Sequence, residues 1–192
     1  MRSVEGIPLS HVLITGAAGF LGQRLVNALL SQTERPISKL ILWDHQPGSV
    51  PSGTEAKIVT IQGDLLDEDL RRQAFADRLD VVIHLASNPD IAKAMTEPAV
   101  DFDEGTLLTH HVLEAMRRTD CRRILYASGS GVYGDLGEVE AAEDYGPLIP
   151  ISTYGASKLA GEGMISSYCH MFGLTGCIFR FGNVVGPRQT HG

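Results

Sequence analysis

The chain has 192 residues, 43% of them apolar and 20% charged, which suits one globular domain with a sizeable core. The net charge of −7, with no basic run or basic helix face, argues against nucleic acid or an anionic membrane as the main partner. We expect a cytoplasmic protein with reduced thiols, because no stretch approaches the ~20 apolar residues of a membrane span, no signal peptide is apparent, and the cysteines lack CxxC spacing.

The first predicted element is a buried strand that runs into a glycine-rich turn and a helix. Residues 12–14 (Val-Leu-Ile) form the short apolar run of a strand buried on both faces. Gly16, Gly19 and Gly22 follow at three-residue spacing, where the helix begins. A helix N-terminus attracts a pyrophosphate, and glycines let the backbone approach it closely. We therefore predict a dinucleotide-binding turn.

The rest of the chain alternates predicted strands and helices. Strands are predicted at residues 39–44, 57–62, 80–86, 123–128 and 175–181. Helices are predicted at 67–77, 98–119 and 152–172, and long loops at 46–53 and 129–150. This alternation predicts an α/β fold: a Rossmann-like, doubly wound parallel sheet with helices on both faces and ligands beyond the carboxyl ends of the strands.

Two acidic residues follow predicted strands. Asp44 lies 22 residues after Gly22, where an acid accepts hydrogen bonds from the adenosine ribose and repels a 2′-phosphate, which favours NAD over NADP. Asp64 follows the third strand and is placed to meet the adenine end. For each residue the alternative is a simple role in a turn.

Tyr154 and Lys158 are spaced i, i+4 on a predicted helix and therefore project from one face. A lysine ammonium beside a phenol favours the phenolate, so we expect Lys158 to lower the pKa of Tyr154. Such a tyrosine can exchange a proton with a substrate hydroxyl while hydride moves to or from nicotinamide. Alone, this spacing is more typical of a surface pair; downstream of a nucleotide-binding turn it indicates an active site.

The histidines do not indicate a catalytic or metal site. His84, at the end of a predicted buried strand, is more typical of a hydrogen-bonded core residue than of a base. The other histidines lack metal-ligand spacing with carboxylates or cysteines, so no metal site is predicted.

Seven motifs in order resemble those of one enzyme family. They are Thr15-Gly16-x-x-Gly19-x-x-Gly22, Asp44, Gly63-Asp64, His84-Leu85-Ala86, Val132-Tyr133-Gly134, Tyr154-x-x-x-Lys158 and Arg180-Phe-Gly-Asn183-Val-Val-Gly-Pro187-Arg188. The chain resembles the N-terminal portion of an extended short-chain dehydrogenase/reductase of the NAD-dependent epimerase/dehydratase family, most of all its UDP-glucose 4-epimerase-like members. The resemblance covers nearly the whole chain and is specific for the superfamily, much less so for the substrate.

The resemblance implies a role for each matching position. Residues 18–21 would line the pyrophosphate, Tyr154 would be the acid/base, Lys158 would reach the nicotinamide ribose, and Asn183 would meet the substrate. The implied NAD contacts are Gly16, Ala18, Gly19, Phe20, Leu21, Gly22, Asp44, Asp64, Leu65, Leu85, Ala86, Ser87, Tyr154, Lys158, Phe181 and Gly182.

The implied activity is sugar-nucleotide epimerisation. Tyr154 would take the proton of the 4-hydroxyl as hydride passes transiently to bound NAD, and the hydride would return to the other face of the keto sugar. One alternative is an NAD-dependent dehydrogenase or reductase of a small polyol, hydroxy acid or keto sugar, which would release NADH continuously. Another is a non-catalytic NAD-binding sensor or scaffold, which would not need Tyr154 or Lys158.

The chain departs from the family pattern at three places. The family's usual Ser or Thr, four residues before the Tyr of the V-Y-G motif, is Gly129 here, so either Ser130 or Ser128 replaces its hydroxyl or the chemistry is impaired. Ser130 and Gly131 stand where dehydratases carry an acidic pair, and Gly131 where decarboxylases carry a glutamate, so those activities are disfavoured. Phe102 replaces an asparagine of the cofactor-side network.

Family members continue beyond the position of Gly192 with a smaller lobe that covers the sugar nucleotide. The resemblance therefore implies that residues 1–192 are the NAD-binding Rossmann domain, truncated before the substrate-binding lobe, with little turnover of its own. It also implies a homodimer.

Overall fold

The computed structural model describes residues 9–34, 36–51, 53–88, 90 and 92–187. Six strands form one sheet in the order β3-β2-β1-β4-β5-β6, and every neighbouring pair is parallel. The strands are β1 (His11–Thr15), β2 (Lys39–Asp44), β3 (Lys57–Gln62), β4 (Val81–His84), β5 (Arg123–Gly129) and β6 (Thr175–Phe181). The predicted doubly wound parallel sheet is confirmed.

Helices connect the strands. The α-helices are α1 (Phe20–Leu30), α2 (Glu68–Ala74), α3 (Ala99–Asp101), α4 (Leu108–Arg117) and α5 (Thr153–Phe172), and short 3-10 helices span Lys93–Met95 and Ser130–Tyr133. A π-helical segment, Phe102–Leu107, joins α3 to α4, so the prediction of one regular helix over 98–119 is wrong in its first half. Apolar spacing gave no signal for this widened turn, whose backbone packs closely on α5 at Gly105 and Ser157.

The core is divided between the two faces of the sheet. Along β1, Leu13 packs into the cluster on one face, whereas Val12 and Ile14 pack into the cluster on the other, as the period of two in a strand requires. Helix α2 is shorter than predicted and ends beside Phe75, which is buried in the first cluster. Within the described part of the chain, no helix is long and apolar enough to cross a membrane.

The topology determines where a ligand can bind. Strand β1 pairs with β2 on one side and with β4 on the other. The connection that leaves β1 therefore runs to one side of this strand pair, and the connection that leaves β4 runs to the opposite side. Ligands of open α/β sheets bind in the crevice beyond the carboxyl ends of the strands at such a switch point. In this chain that crevice lies after Thr15 and His84.

Candidate active site

An open cleft of about 1480 Å³ occupies this position. It brings together residues from the glycine turn, the ends of β4, β5 and β6, and helix α5. The predicted site residues that line it are Ala18, Gly19, Phe20, Leu21, Leu85, Ser87, Ser128, Ser130, Tyr154, Lys158, Phe181, Gly182 and Asn183.

The turn after β1 requires glycine at two positions. Gly16 has φ +72°, and a Cβ placed there would lie 2.8 Å from the backbone nitrogen of Ala86. A Cβ on Gly22 would lie 2.2 Å from the carbonyl oxygen of Gly16. Helix α1 can therefore begin against the turn only when its third residue has no side chain.

The N-terminus of α1 suits an anion. Gly19 is its N-cap; no side chain bonds to the cap and no acidic residue lies in the first turn, as far as the described chain extends. The first N–H groups and the positive end of the helix dipole are thus free to meet a pyrophosphate.

Asp44 joins the end of β2 to the glycine turn. Its Oδ2 accepts a hydrogen bond from the backbone nitrogen of Ala18 at 2.9 Å, and its Oδ1 accepts one from that of Gln46 at 3.0 Å. The carboxylate also lines a second cavity of about 110 Å³ beside the turn. A carboxylate offers about four acceptor sites, so acceptor capacity remains for ribose hydroxyls.

Asp64, Leu65 and Ala86 do not line either cavity. Asp64 is exposed, and its Oδ1 accepts from the backbone nitrogen of Leu66 at 2.8 Å, as in a turn. The Leu65 side chain is 1% exposed within the core, and Ala86 packs against the same cluster. The prediction that these residues contact the cofactor therefore concerns only their backbone atoms and the Asp64 carboxylate. The side chains of Leu65 and Ala86 pack on the core instead.

Tyr154 and Lys158 face the cleft from the start of α5. Lys158 is 4% exposed; its Nζ donates to the carbonyl oxygen of Ala127 at 2.9 Å and lies 5.4 Å from the Tyr154 ring centre. Burial lowers the pKa of Lys158 to about 8, and the charge of Asp101 acts in the opposite direction.

The expected depression of the Tyr154 pKa is wrong for this structure. Burial raises the pKa of Tyr154, a hydrogen bond with Ser87 lowers it, and the negative charge of Asp101 raises it. The Lys158 ammonium is aimed at a β5 carbonyl rather than at the phenol oxygen, which is why its influence on Tyr154 is small. Tyr154 is therefore a neutral phenol near pH 7.

His84 has the structural role that the sequence favours. Its Nδ1 lies 2.6 Å from Thr15 Oγ1 and its Nε2 lies 3.2 Å from Thr109 Oγ1, in full burial. Burial, together with the positive charge of Lys158, lowers the pKa of His84 to about 3, so the ring is neutral. It links β4 to β1 and α4 rather than acting as a base.

The two serines that flank Gly129 differ in whether their hydroxyl groups can contact a substrate. Ser128 lines the cleft, but its buried hydroxyl donates to Glu162 Oε1 at 2.6 Å, and Arg180 Nη2 pairs with the other carboxylate oxygen at 2.7 Å. Ser130 is exposed at the first position of the 3-10 helix and lines the cleft. Of the two, Ser130 is the hydroxyl that a substrate can meet.

The end of β6 completes the cleft wall. Phe181 stacks on Phe179 with ring centres 6.0 Å apart, and Gly182 and Asn183 follow it at the cleft. Arg188, the last residue of the final motif, lies outside the described residues.

Two groups of residues were missed at the sequence level. Gln23, Arg24 and Asn27 line the cleft from one face of α1, and their helical spacing on from Phe20 was a usable signal. Asp101 is buried near Tyr154 and Lys158, and its place on a π-kinked helix carried no such signal.

A doubly wound sheet with a glycine turn at its switch point and a Tyr-x-x-x-Lys helix beside the cleft defines a dinucleotide-binding domain of the short-chain dehydrogenase/reductase class. A comparison with protein families narrows this class. Residues 12–192 match the NAD dependent epimerase/dehydratase family, and the chain belongs to this family.

Individual relatives agree with the family. The chain is 32% identical to a putative UDP-glucose 4-epimerase of Methanocaldococcus jannaschii over 93% of its own length and 57% of the relative's. It is 29% identical to a dTDP-D-glucose 4,6-dehydratase of Dictyostelium discoideum, covering 98% of this chain and 47% of the relative. The chain thus spans about half the length of such curated relatives.

Solved structures show the same likeness. The UDP-glucose 4-epimerase of Thermus thermophilus, solved in complex with NAD, superposes with a TM-score of 0.81 at 34% identity. The match covers 93% of this chain and 57% of that one.

Proposed function

We propose that residues 1–192 form an NAD-binding domain and that the protein is a sugar-nucleotide epimerase. The observation that carries this proposal is the meeting of Tyr154 and Lys158 with the glycine turn in one cleft. The turn would hold the pyrophosphate, Asp44 the adenosine ribose, and the strand ends after β4 and β6 the nicotinamide half. Epimerase and dehydratase relatives, and NAD in a similar solved structure, support it.

The chemistry proposed for the chain's own groups is proton transfer. When bound, NAD supplies the hydride acceptor and donor. Tyr154, a phenol because its pKa is raised, first gives its proton to water; as the phenolate it would then accept the proton of the sugar hydroxyl during oxidation and return it during reduction. The buried Lys158 ammonium, 5.4 Å from the Tyr154 ring centre, favours the phenolate whenever that proton has moved.

The direct test has two parts. Calorimetric titration of the chain is expected to show NAD binding and markedly weaker NADP binding, because the Asp44 carboxylate repels a 2′-phosphate. The complete gene product, given a panel of nucleotide sugars, is expected to form 4-epimers without accumulating NADH. Continuous NADH release would instead indicate a dehydrogenase, and NAD binding without turnover a sensor.

The site has room for the hydroxyl that the family pattern places at position 129. Gly129 has extended backbone (φ −154°), and a Cβ there meets only the Phe181 carbonyl oxygen, at an ordinary 3.7 Å. We expect Gly129→Ser to raise the epimerase kcat about tenfold, which is the worth of one hydrogen bond of about 1.4 kcal/mol to the reacting oxygen.

Gly129→Ala is the matched control, because it adds the same Cβ without a hydroxyl. Initial rates of the two variants and the parent are compared at saturating substrate, which shows whether a hydroxyl at position 129 raises kcat. Equal rates for the serine and alanine variants would show that no hydroxyl is missing at this position and that Ser130 suffices.

A further inference from the structure

A buried carboxylate faces the start of α5 from the neighbouring helix. Asp101, the last residue of α3, is 2% exposed. Its Oδ1 accepts from Asn88 Nδ2 at 2.8 Å, and its Oδ2 accepts from Thr153 Oγ1 at 2.6 Å. Both donors are neutral, so the hydrogen bonds leave the charge of the carboxylate uncompensated. Such a buried charge is costly unless a cation lies nearby.

Lys158 is a cation in a position to provide that compensation. It follows Thr153 by five residues on α5 and is 4% exposed, and its own hydrogen bond goes to a neutral carbonyl. Burial lowers the pKa of Lys158, whereas Asp101 raises it and so favours the ammonium form. The two buried charges therefore stabilise each other, with Tyr154 close to both.

Asp101 also complements the beginning of α5. Ser152 caps this helix by accepting from the backbone nitrogen of Gly155 at 3.0 Å, but the first turn of α5 contains no acidic residue of its own. A carboxylate at a helix N-terminus is favourable because it meets the positive end of the dipole. Asp101 brings this charge from another element and bonds to the residue directly before Tyr154.

The π-helical segment holds Asp101 against α5. A Cβ on Gly105 would lie 2.1 Å from Ser157 Oγ, so this backbone packs on α5 without space for a side chain. Thr106 Oγ1 also donates to Ser157 Oγ at 3.2 Å. π-Turns inside helices occur frequently at functional sites, and this one ties α3 to the helix that carries Tyr154.

We propose that Asp101 is a positioning residue for the Tyr154–Lys158 pair. Its carboxylate holds the first turn of α5 through Thr153, joins that turn to the loop after β4 through Asn88, and balances the charge of Lys158. The proposal rests on the proposed function for the role of Tyr154, and Asp101 itself acts through its neighbours rather than on a substrate.

The other titratable groups around Tyr154 carry little net charge. Tyr126 on β5 lies beside Lys158, and burial raises its pKa further above neutrality. His84 on β4 stacks on Tyr126 and is neutral. Glu162 on α5 is paired with Arg180 on β6. Asp101 is thus the nearby charge that raises the Tyr154 pKa, whereas Lys158 influences that pKa little.

The test is the Tyr154 pKa, measured on the whole chain by NMR of ring-labelled tyrosine with Tyr154→Phe for assignment. Asp101→Asn removes the charge, and its side chain can still bond to Asn88 and Thr153. We expect it to lower the Tyr154 pKa by about one pH unit. Asp103→Asn, an exposed change two residues along the chain in the π-helical segment, is expected to leave the pKa unchanged.

Substitutions of Thr153 provide a second measurement if Asp101→Asn does not fold. Thr153→Val removes one of the two hydrogen bonds that screen the Asp101 carboxylate, so its negative charge acts more strongly on Tyr154 and the Tyr154 pKa rises, whereas Thr153→Ser keeps the donor and the parent value. An unchanged Tyr154 pKa in folded Asp101→Asn, or otherwise in Thr153→Val, would overturn the proposal. These readouts need no turnover, so absence of epimerase activity would count against the proposed function alone.

Discussion

Tyr154→Phe is expected to lower the rate of sugar-nucleotide epimerisation by about 10²–10⁴-fold while NAD binding is retained. The substitution removes the hydroxyl that would carry the proton and leaves the ring against Lys158. The substitution also removes the hydrogen bond between Tyr154 and Ser87. We expect this loss to affect the rate much less than the loss of the acid/base hydroxyl. Rates in the complete gene product and calorimetry of NAD provide the two measurements.

Tyr168→Phe is the matched control for this prediction. The Tyr168 hydroxyl donates to Glu114 Oε1 at 2.7 Å, on the face of α5 that packs toward α4 and away from the cleft. Its removal is expected to leave the rate within a factor of about two, because this partly buried hydrogen bond lies outside the cleft and contributes only about 1 kcal/mol to stability. Turnover by Tyr154→Phe at the parent rate would remove the proposed acid/base role.

The second large effect is expected at Gly22. Gly22→Ala places a Cβ 2.2 Å from the Gly16 carbonyl oxygen and 2.7 Å from Ala17 backbone atoms, none of which can move without displacing the turn. We expect a loss of about 3 kcal/mol in the free energy of unfolding. NAD affinity should fall about 100-fold or more, because the helix N-terminus no longer meets the turn at the required distance.

Gly163→Ala separates this effect from the general cost of replacing glycine. A Cβ on Gly163 meets nothing within 4 Å, and the residue lies inside α5. This variant is expected to gain about 0.5–1 kcal/mol of stability, because alanine restricts the unfolded chain. Denaturant unfolding and NAD titration of both variants test the contrast; a Gly22→Ala protein that binds NAD like the parent would contradict it.

Much of the site could be predicted because its residues are local in sequence. The glycine turn, the acid after β2 and the Tyr154–Lys158 pair each depend on spacing within one or two elements, and the parallel sheet then brings strand ends to one edge. Residue types and intervals suffice for such features. Gly129, by contrast, is recognised as a departure only through the resemblance to the family pattern.

The hydrogen-bond partner of Ser128 and the direction of the Tyr154 pKa shift could not be predicted from residue types and spacing. Whether Ser128 or Ser130 offers a free hydroxyl depends on Glu162, which is 34 residues away from Ser128 and reaches it only through the packing of α5 on β5. The direction of the shift in the Tyr154 pKa depends on burial and on Asp101, which lies on α3, 53 residues before Tyr154.

The sequence by itself determined the class of fold and the order of the strands along the chain, and it supplied the residues that we propose for dinucleotide binding, because hydrophobic periodicity and glycine spacing act over short distances. Only the tertiary structure decided the π-turn before α4, the placing of Leu65 in the core, and the link from Asp101 to Thr153. These features depend on which helices and strands pack together and how closely. Burial and the interaction between charges have their energetic effects only once the folded chain brings those groups into contact.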